Sequence, residues 1–303
     1  MLSYSIVIPT FNGGERLKLL LESIKWQTCQ TNAILVIDSG SKDNTQIYVK
    51  HLGFQRLSIK NENFNHGGTR QLGLEFFRWS EIIIFLTQDA ILDDSNSLTH
   101  IIGCFDEPQV GAAYGRQFPH QNARPIEAHA RLFNYPERSL IKSVEDIPQL
   151  GLKTAFISNS FAAYRRSALM EVGGFPKDVI FGEDTYVAAK MILSNWKIAY
   201  CAEAAVYHSH HYRYIEEFRR YFDIGVFHAR EKWIRQNFGE AEGEGTRFVF
   251  AEIKYLWENC FWLIPSAIIR SFLKLFAYKL GNHEKKIPKN IKIFLSMNRR
   301  FWK

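Results

Sequence analysis

The sequence predicts an α/β fold: a mostly parallel, doubly wound sheet with helices on both faces, followed by a helical carboxy-terminal region. Three observations predict it. Short apolar runs alternate with amphipathic helical patterns over the first 90 residues, the rhythm of strands joined by crossover helices. A short polar or glycine-bearing segment follows several of these runs, at the carboxyl ends of strands where open sheets of this kind place ligands. After about Tyr212 the pattern turns helical throughout.

Tyr4 to Pro9 reads as a buried strand, and Gly14 to Trp26 as a helix with Leu17, Leu20, Leu21 and Ile24 on one face. Ala33 to Asp38 is the second strand, and Asp43 can cap the helix that follows. Arg56 to Lys60 is a strand, Gly68 to Trp79 a helix, and Ile82 to Leu86 a wholly apolar strand. Residues 116–150 break the rhythm with Pro119, Pro125, Pro136 and Pro148, and read as a long functional loop. Phe161 to Arg165 and Lys197 to Cys201 read as strands, with a helix from Glu183 to Leu193 between them, and Ala204 to Tyr207 is strand-like. Tyr214 to Phe238 is a long helical pattern interrupted by Gly225. Gly239 to Gly245 is a linker, and Thr246 to Leu280 is helical with a break at Pro265. The chain thus divides into residues 1–211 and a helical region, 212–303.

The 303 residues suffice for one large domain or a domain with an appendage, and 46% hydrophobic with 23% charged residues excludes a disordered chain. Cys29, Cys104, Cys201 and Cys260 have neither metal-ligand spacing nor a disulfide framework, which fits a reducing cytosol. No signal-peptide pattern and no unbroken run of 18 apolar residues is present, so no membrane span is expected. The charge is uneven. From Arg270 onward ten basic residues stand against Glu284 alone, more than accounting for the net +7. Such a tail suits an anionic membrane, an acidic partner or nucleic acid.

Six segments carry chemistry. Pro9, Thr10 and Asn12 end the first strand, where backbone amides and small polar groups hold a base or ribose, or simply make a turn. Asp38 ends the second, where a carboxylate can accept the N3–H of a pyrimidine. Gly68 and Arg70 lie in Asn65-His66-Gly67-Gly68-Thr69-Arg70 at a helix start, which favours anions; Arg70 can fork onto a phosphate, and His66 can meet a sugar or solvent. Gln88 and Asp89 follow the apolar strand. Glu183 and Asp184 open a helix, where carboxylates also simply favour the dipole. His208 and His210 alternate on an extended segment and so face one way, as metal ligands or as part of a solvated cluster.

In their order and spacing these segments resemble family 2 glycosyltransferases with the Rossmann-like GT-A fold, over roughly residues 3 to 211. The Asn-His-Gly-Gly-Thr-Arg variant resembles the bacterial rhamnosyltransferases of that family, which use dTDP-L-rhamnose in O-antigen or related polysaccharide assembly. The resemblance implies that Asp38 holds the pyrimidine, that Arg70 and the glycines meet the nucleotide, and that Gln88 and Asp89 touch the sugar. It implies Asp184 as the base of an inverting transfer, with Glu183 orienting it. The family's Asp-X-Asp is Thr87-Gln88-Asp89 here, leaving Asp89, with His208 or His210, to hold Mg²⁺ or Mn²⁺.

The expected partners are the nucleotide-sugar donor and a glycan or lipid-linked glycan acceptor, with residues 116–150 shaping the acceptor site. A UDP-hexose donor, or a non-catalytic sugar-nucleotide-binding role motivated by Thr87, is the alternative. Nucleic acid is not expected. Large apolar residues from Phe248 to Phe276, interspersed with Lys254, Arg270, Lys274 and Lys279, read as an interfacial helix at the inner face of the cytoplasmic membrane, as a homodimer contact, or as both.

Overall fold

The computed structural model describes residues 2–31, 33–239 and 243–303. Its first half follows the expected alternation: β1 (Tyr4–Thr10), α1 (Gly14–Lys25), β2 (Ile34–Asp38), α2 (Thr45–His51), β3 (Gln55–Ser58), α3 (His66–Phe76) and β4 (Ile82–Leu86). β5 (Ile91–Leu92), α4 (Ser97–Gly103) and β6 (Val110–Phe118) follow. Then come α5 (Pro125–Asn134), β7 (Leu140–Lys142), α6 (Ile147–Leu150), β8 (Phe161–Arg165), α7 (Arg166–Glu171), α8 (Glu183–Leu193) and β9 (Lys197–Tyr207). The carboxy-terminal region holds α9 (Tyr214–Arg230), α10 (Lys232–Phe238), α11 (Glu244–Asn259), α12 (Ile264–Asn282) and α13 (Lys289–Leu295).

The strands form one sheet in the order β3-β2-β1-β4-β8-β6-β9-β5, with β7 paired to β9. The first four pair in parallel, and β8 runs antiparallel between β4 and β6. Because β8 is reversed, the residues entering it lie beside the carboxyl end of β4: Leu86 pairs with Phe161. The carboxyl ends of β6 and β9 meet at the same edge, where Phe118 pairs with Tyr207. β2 and β4 are buried throughout, as central parallel strands must be. Ile6 and Ile8 join one core layer with Leu17 and Leu21 of α1; Val7 joins the other with Phe85, Phe222 and Trp302. The carboxy-terminal helices therefore share a core with the sheet.

Residues 116–150 are not a loop. Its prolines misled: Pro125 occupies the first turn of α5, where its missing N–H is no loss, and β6 reaches Phe118 before the chain turns. The runs expected at Lys197–Cys201 and Ala204–Tyr207 are one strand with a register shift opposite Gly115 and Arg116. Gly225 does not interrupt its helix. It lets α9 and α12 touch: a Cβ there would lie 2.2 Å from the Tyr278 carbonyl oxygen, and one on Gly281 would lie 2.2 Å from that of Phe222. The break falls at Glu231 instead. Pro265 stands in the first turn of α12. Glu240 to Glu242 of the expected linker lie outside the described residues.

α12 is amphipathic in the inverted sense. Its inward face carries Ala267, Ala277 and Gly281 with Arg270 and Lys274, whose ammonium and guanidinium groups reach Glu217 of α9 at 2.9 and 2.6 Å. These two cations, expected among the interfacial groups, are thus internal. The outward face is Ile268, Ile269, Phe272 (70% exposed), Leu275 and Phe276. Among the described residues one helical stretch, Phe261–Asn282, is long and apolar enough to cross a membrane by length and composition. The expectation of none rested on an unbroken apolar run, which the inward-facing cations interrupt. Trp257, Phe261 and Trp262 extend the exposed apolar surface.

Candidate active site

The carboxyl edge of the sheet gathers the predicted residues. β5 pairs antiparallel with the end of β9, Ile91 opposite Tyr207, and this register sets Asp89 against the residues that follow β9. Asp89 Oδ1 lies 3.5 Å from His208 Nε2, and Asp89 Oδ2 lies 3.6 Å from His210 Nδ1. Ligand atoms of the three residues all fall within 4.8 Å of one another.

The hydrogen-bond network selects the ligating atom of His208. Gln117 Nε2 donates to Ser158 Oγ at 3.0 Å, which turns Gln117 Oε1 toward His208 Nδ1 at 2.9 Å. Nδ1 then carries the proton, and Nε2 presents its lone pair toward Asp89. That Nε2 is buried without a hydrogen-bond partner among the described residues. Burial lowers the pKa of His208, and lowers that of His210 to about 3 with His208 adding to the effect, so both rings are neutral near pH 7. Burial alone would raise the Asp89 carboxyl, but the adjoining His208, with His210 and Thr87, outweighs it and holds the group well below the usual carboxylate range. One carboxylate and two neutral imidazoles with an orphaned nitrogen fit a divalent cation. A set with two nitrogens suits Mn²⁺ better than Mg²⁺, which prefers oxygen.

Glu183 and Asp184 open α8 after Gly182. Glu183 is buried and meets the almost wholly buried Arg70, Oε1 to Nη1, at 3.0 Å. Asn159, just before β8, ties the two carboxylates together. Its Nδ2 donates to Glu183 Oε1 at 3.1 Å, its backbone N–H donates to Asp184 Oδ2 at 3.3 Å, and its Oδ1 accepts from Tyr164 at 2.8 Å. Burial would raise Glu183, but Arg70 outweighs it and keeps the carboxylate charged. Asp184 is pushed up to about 6, first by burial and then by the charge of Glu183. A carboxylate with its pKa near neutrality is suited to accept a proton in a transition state.

The other predicted residues hold the edge together. Thr10 Oγ1 and the Phe11 N–H both donate to Gln88 Oε1, at 2.7 and 2.9 Å, which locks the ends of β1 and β4. Asn12, at φ 49°, accepts from the Lys42 N–H at 2.9 Å and donates its own N–H to Ser41 Oγ at 2.8 Å. Pro9 pairs with Ile37 within the sheet. Asp38 is fully buried; its oxygens accept from the Ser41 N–H, Ser41 Oγ and Gln46 Nε2 at 3.0, 2.5 and 2.9 Å. The Gly68 N–H donates to the capping Asn65 at 2.8 Å. A Cβ on Gly67 would fall 1.8 Å from the Pro176 carbonyl oxygen, so the close approach this glycine permits is to the chain itself. Arg70 likewise faces inward, donating to the His66 carbonyl as well as pairing with Glu183; its fork is not presented to a phosphate. Asp43 accepts from the first amide of α2, as expected of a cap.

Sequence reasoning missed Gln117 and Asn159. Gln117 lay in the stretch read as loop, and an asparagine before a strand carries no periodic signal.

The model of the family described as "Glycosyl transferase family 2" matches residues 5–173. The O-antigen chain rhamnosyltransferase RfbN of Salmonella typhimurium is 48% identical over 299 residues, 98% of this chain and 95% of that protein. The O-antigen chain rhamnosyltransferase WbaN of Salmonella anatum is 45% identical over 303 residues, 100% and 96% of the two chains. Among solved structures, mannosyltransferase PcManGT from Pyrobaculum calidifontis, in complex with GDP-Man and Mn²⁺, superposes with a TM-score of 0.59 at 18% identity, covering 99% of this chain and 85% of that one. TarS 1–349 of S. aureus gives 0.54 at 14% identity, covering 94% and 91%. At these identities the solved structures speak for the fold.

Proposed function

The chain belongs to glycosyl transferase family 2, and from that membership we propose that it moves L-rhamnose from dTDP-β-L-rhamnose to a hydroxyl of a lipid-linked glycan in O-antigen or related polysaccharide assembly. The observation that carries the reading is the similarity, over nearly the full length of both chains, to two O-antigen chain rhamnosyltransferases. Residues 1–211 would supply donor binding and catalysis, and residues 212–303 the helical region.

The transfer inverts the anomeric centre. An acceptor hydroxyl attacks the anomeric carbon while the bond to the diphosphate breaks. Asp184 takes the hydroxyl proton, the nucleoside diphosphate leaves, and an α-L-rhamnoside forms. Asn159 orients Asp184, and the charged Glu183 keeps its affinity for a proton high enough for the task. Asp89, His208 and His210 would hold Mg²⁺ or Mn²⁺, which when bound offsets the charge of the departing diphosphate. The base would rest at the ends of β1 and β2. There Phe11 is exposed for stacking, and Asp38, paired with Thr10 across the two strands, would turn its one remaining acceptor site to the base.

The outward face of α12 with Trp257 and Trp262 supports peripheral contact with the inner leaflet of the cytoplasmic membrane, where a lipid-linked acceptor is presented. Lys254 and Lys279 are exposed at its margins and suit anionic headgroups. A homodimer across the same face is the competing use of this surface.

The test is thermal stability against a panel of nucleotide sugars with and without Mn²⁺, since a ligand of the native state raises Tm. A rise with dTDP-L-rhamnose supports the donor. A rise with UDP-hexoses alone replaces the donor and keeps the family, and none with any nucleotide sugar would overturn the nucleotide-sugar reading.

A further inference from the structure

We infer that the carboxy-terminal strap, Ser296 to Trp302, completes the donor site by bringing Arg299 beside Arg16 of α1 and Arg219 of α9, and that these three guanidiniums bind the diphosphate of the nucleotide sugar. The inference deepens the reading of the donor as a nucleotide sugar and rests on it.

A cavity of about 460 Å³ adjoins the candidate metal cluster, with His210 in its wall. The three arginines that line it come from three distant parts of the chain. The acidic residue in the wall, Glu216, is already engaged by Arg213, which donates its backbone N–H at 2.8 Å and its Nη2 at 2.9 Å. Arg16 and Arg299 are exposed and make no hydrogen bond or ion pair among the described residues. Arg219 donates Nε to the Phe294 carbonyl at 3.1 Å, which holds the side chain. Three guanidiniums around one cavity whose single carboxylate is engaged by Arg213 repel one another. Such a cluster is relieved by an anion with several oxygens, and a diphosphate offers forked acceptors for each.

The strap is held rather than loose, unlike most chain ends. Asp223, buried in α9, accepts through one oxygen from the Met297 N–H, the Asn298 N–H and Asn298 Nδ2, at 3.0, 2.9 and 3.0 Å. Trp302 is buried in the core, and Arg300 bonds the backbone carbonyl and the side chain of Asn61. The backbone at Arg299 is therefore held in the cavity wall before any ligand arrives. The basic tail expected to meet a membrane or partner spends this part of its charge on the site.

The test is calorimetric titration of dTDP, UDP and GDP, each with Mn²⁺, into the full chain and into the R219Q and R299Q variants. R299Q removes no hydrogen bond or ion pair, R219Q gives up only the exposed bond to the Phe294 carbonyl and its packing on that ring, and an unchanged Tm without ligand checks the fold. The strap reading expects each variant to bind the wild type's preferred nucleotide about tenfold or more weakly, with R299K recovering part of the loss. Wild-type affinity in both variants would overturn it while leaving the donor reading intact. Binding of UDP or GDP in place of dTDP, weakened by the same variants, would replace the base and keep the strap. No binding of any of the three by the wild type would sink both.

Discussion

Arg70 and Glu183 form a buried ion pair at 3.0 Å, and the residue after Glu183 is the half-buried Asp184, whose carboxyl is raised to about 6. The pair thus fixes a negative charge behind the candidate base. Removing one partner of a buried pair strands the other, so Arg70→Met should destabilise the protein by about 3–5 kcal/mol. Denaturant unfolding measures this; a loss under about 1 kcal/mol would mean that solvent already reaches Glu183.

Asp184 should trade stability for activity. Its folded pKa lies above the ordinary carboxylate value, so its contribution to stability is complete below about pH 4 and is lost as pH rises through about 6. Above pH 6 the anion destabilises the fold. Asp184→Asn should therefore raise Tm at pH 7.5 and abolish transfer, with the gain in Tm vanishing toward pH 4. A Tm that falls equally at both values would contradict the raised pKa.

The rate of transfer should climb with pH through about 6 as Asp184 loses its proton. Glu183→Gln removes the charge that helps to raise it, so the rise should move to lower pH. A profile unchanged by this substitution would separate Glu183 from the base.

Gln117 should act on the cation site without touching the cation. Its carbonyl fixes the proton of His208 on Nδ1. Gln117→Leu frees the ring and should weaken Mn²⁺ binding by about 10–100-fold, as read by titration of the metal. Asp89→Asn should weaken it further. Unaltered affinity in both would remove this cluster as the metal site.

Phe272→Ser with Phe276→Ser should lower sedimentation with vesicles containing anionic lipid, while the protein keeps its Tm, because both rings lie outside the core. Unchanged sedimentation with loss of a dimer in solution would assign the face to a second copy instead.

The parallel half of the sheet was legible in the sequence because central parallel strands are uniformly apolar, and Ile82 to Leu86 can hardly be anything else. Asp89, His208, His210, Glu183 and Asp184 were legible because each directly follows or opens such an element. Other roles were hidden in tertiary geometry. Gly67 and Gly225 are glycines because other backbone presses on them, and local sequence holds no trace of that. Arg70 is a strong phosphate-binding residue by type, and only the fold reveals that Glu183 occupies it. The prolines of residues 116–150 hid the end of β6 and all of α5, because Pro125 at a helix start and a proline in a loop look alike without partners.

The most direct test is transfer of labelled rhamnose from dTDP-β-L-rhamnose, with Mn²⁺, to lipid-linked acceptor in membranes from a strain lacking this transferase, by wild type and by Asp184→Asn. The account predicts incorporation by the wild type in α linkage, and none above background by the variant, although the variant still binds dTDP. Full incorporation by Asp184→Asn, or product with the donor's β configuration retained, would contradict it.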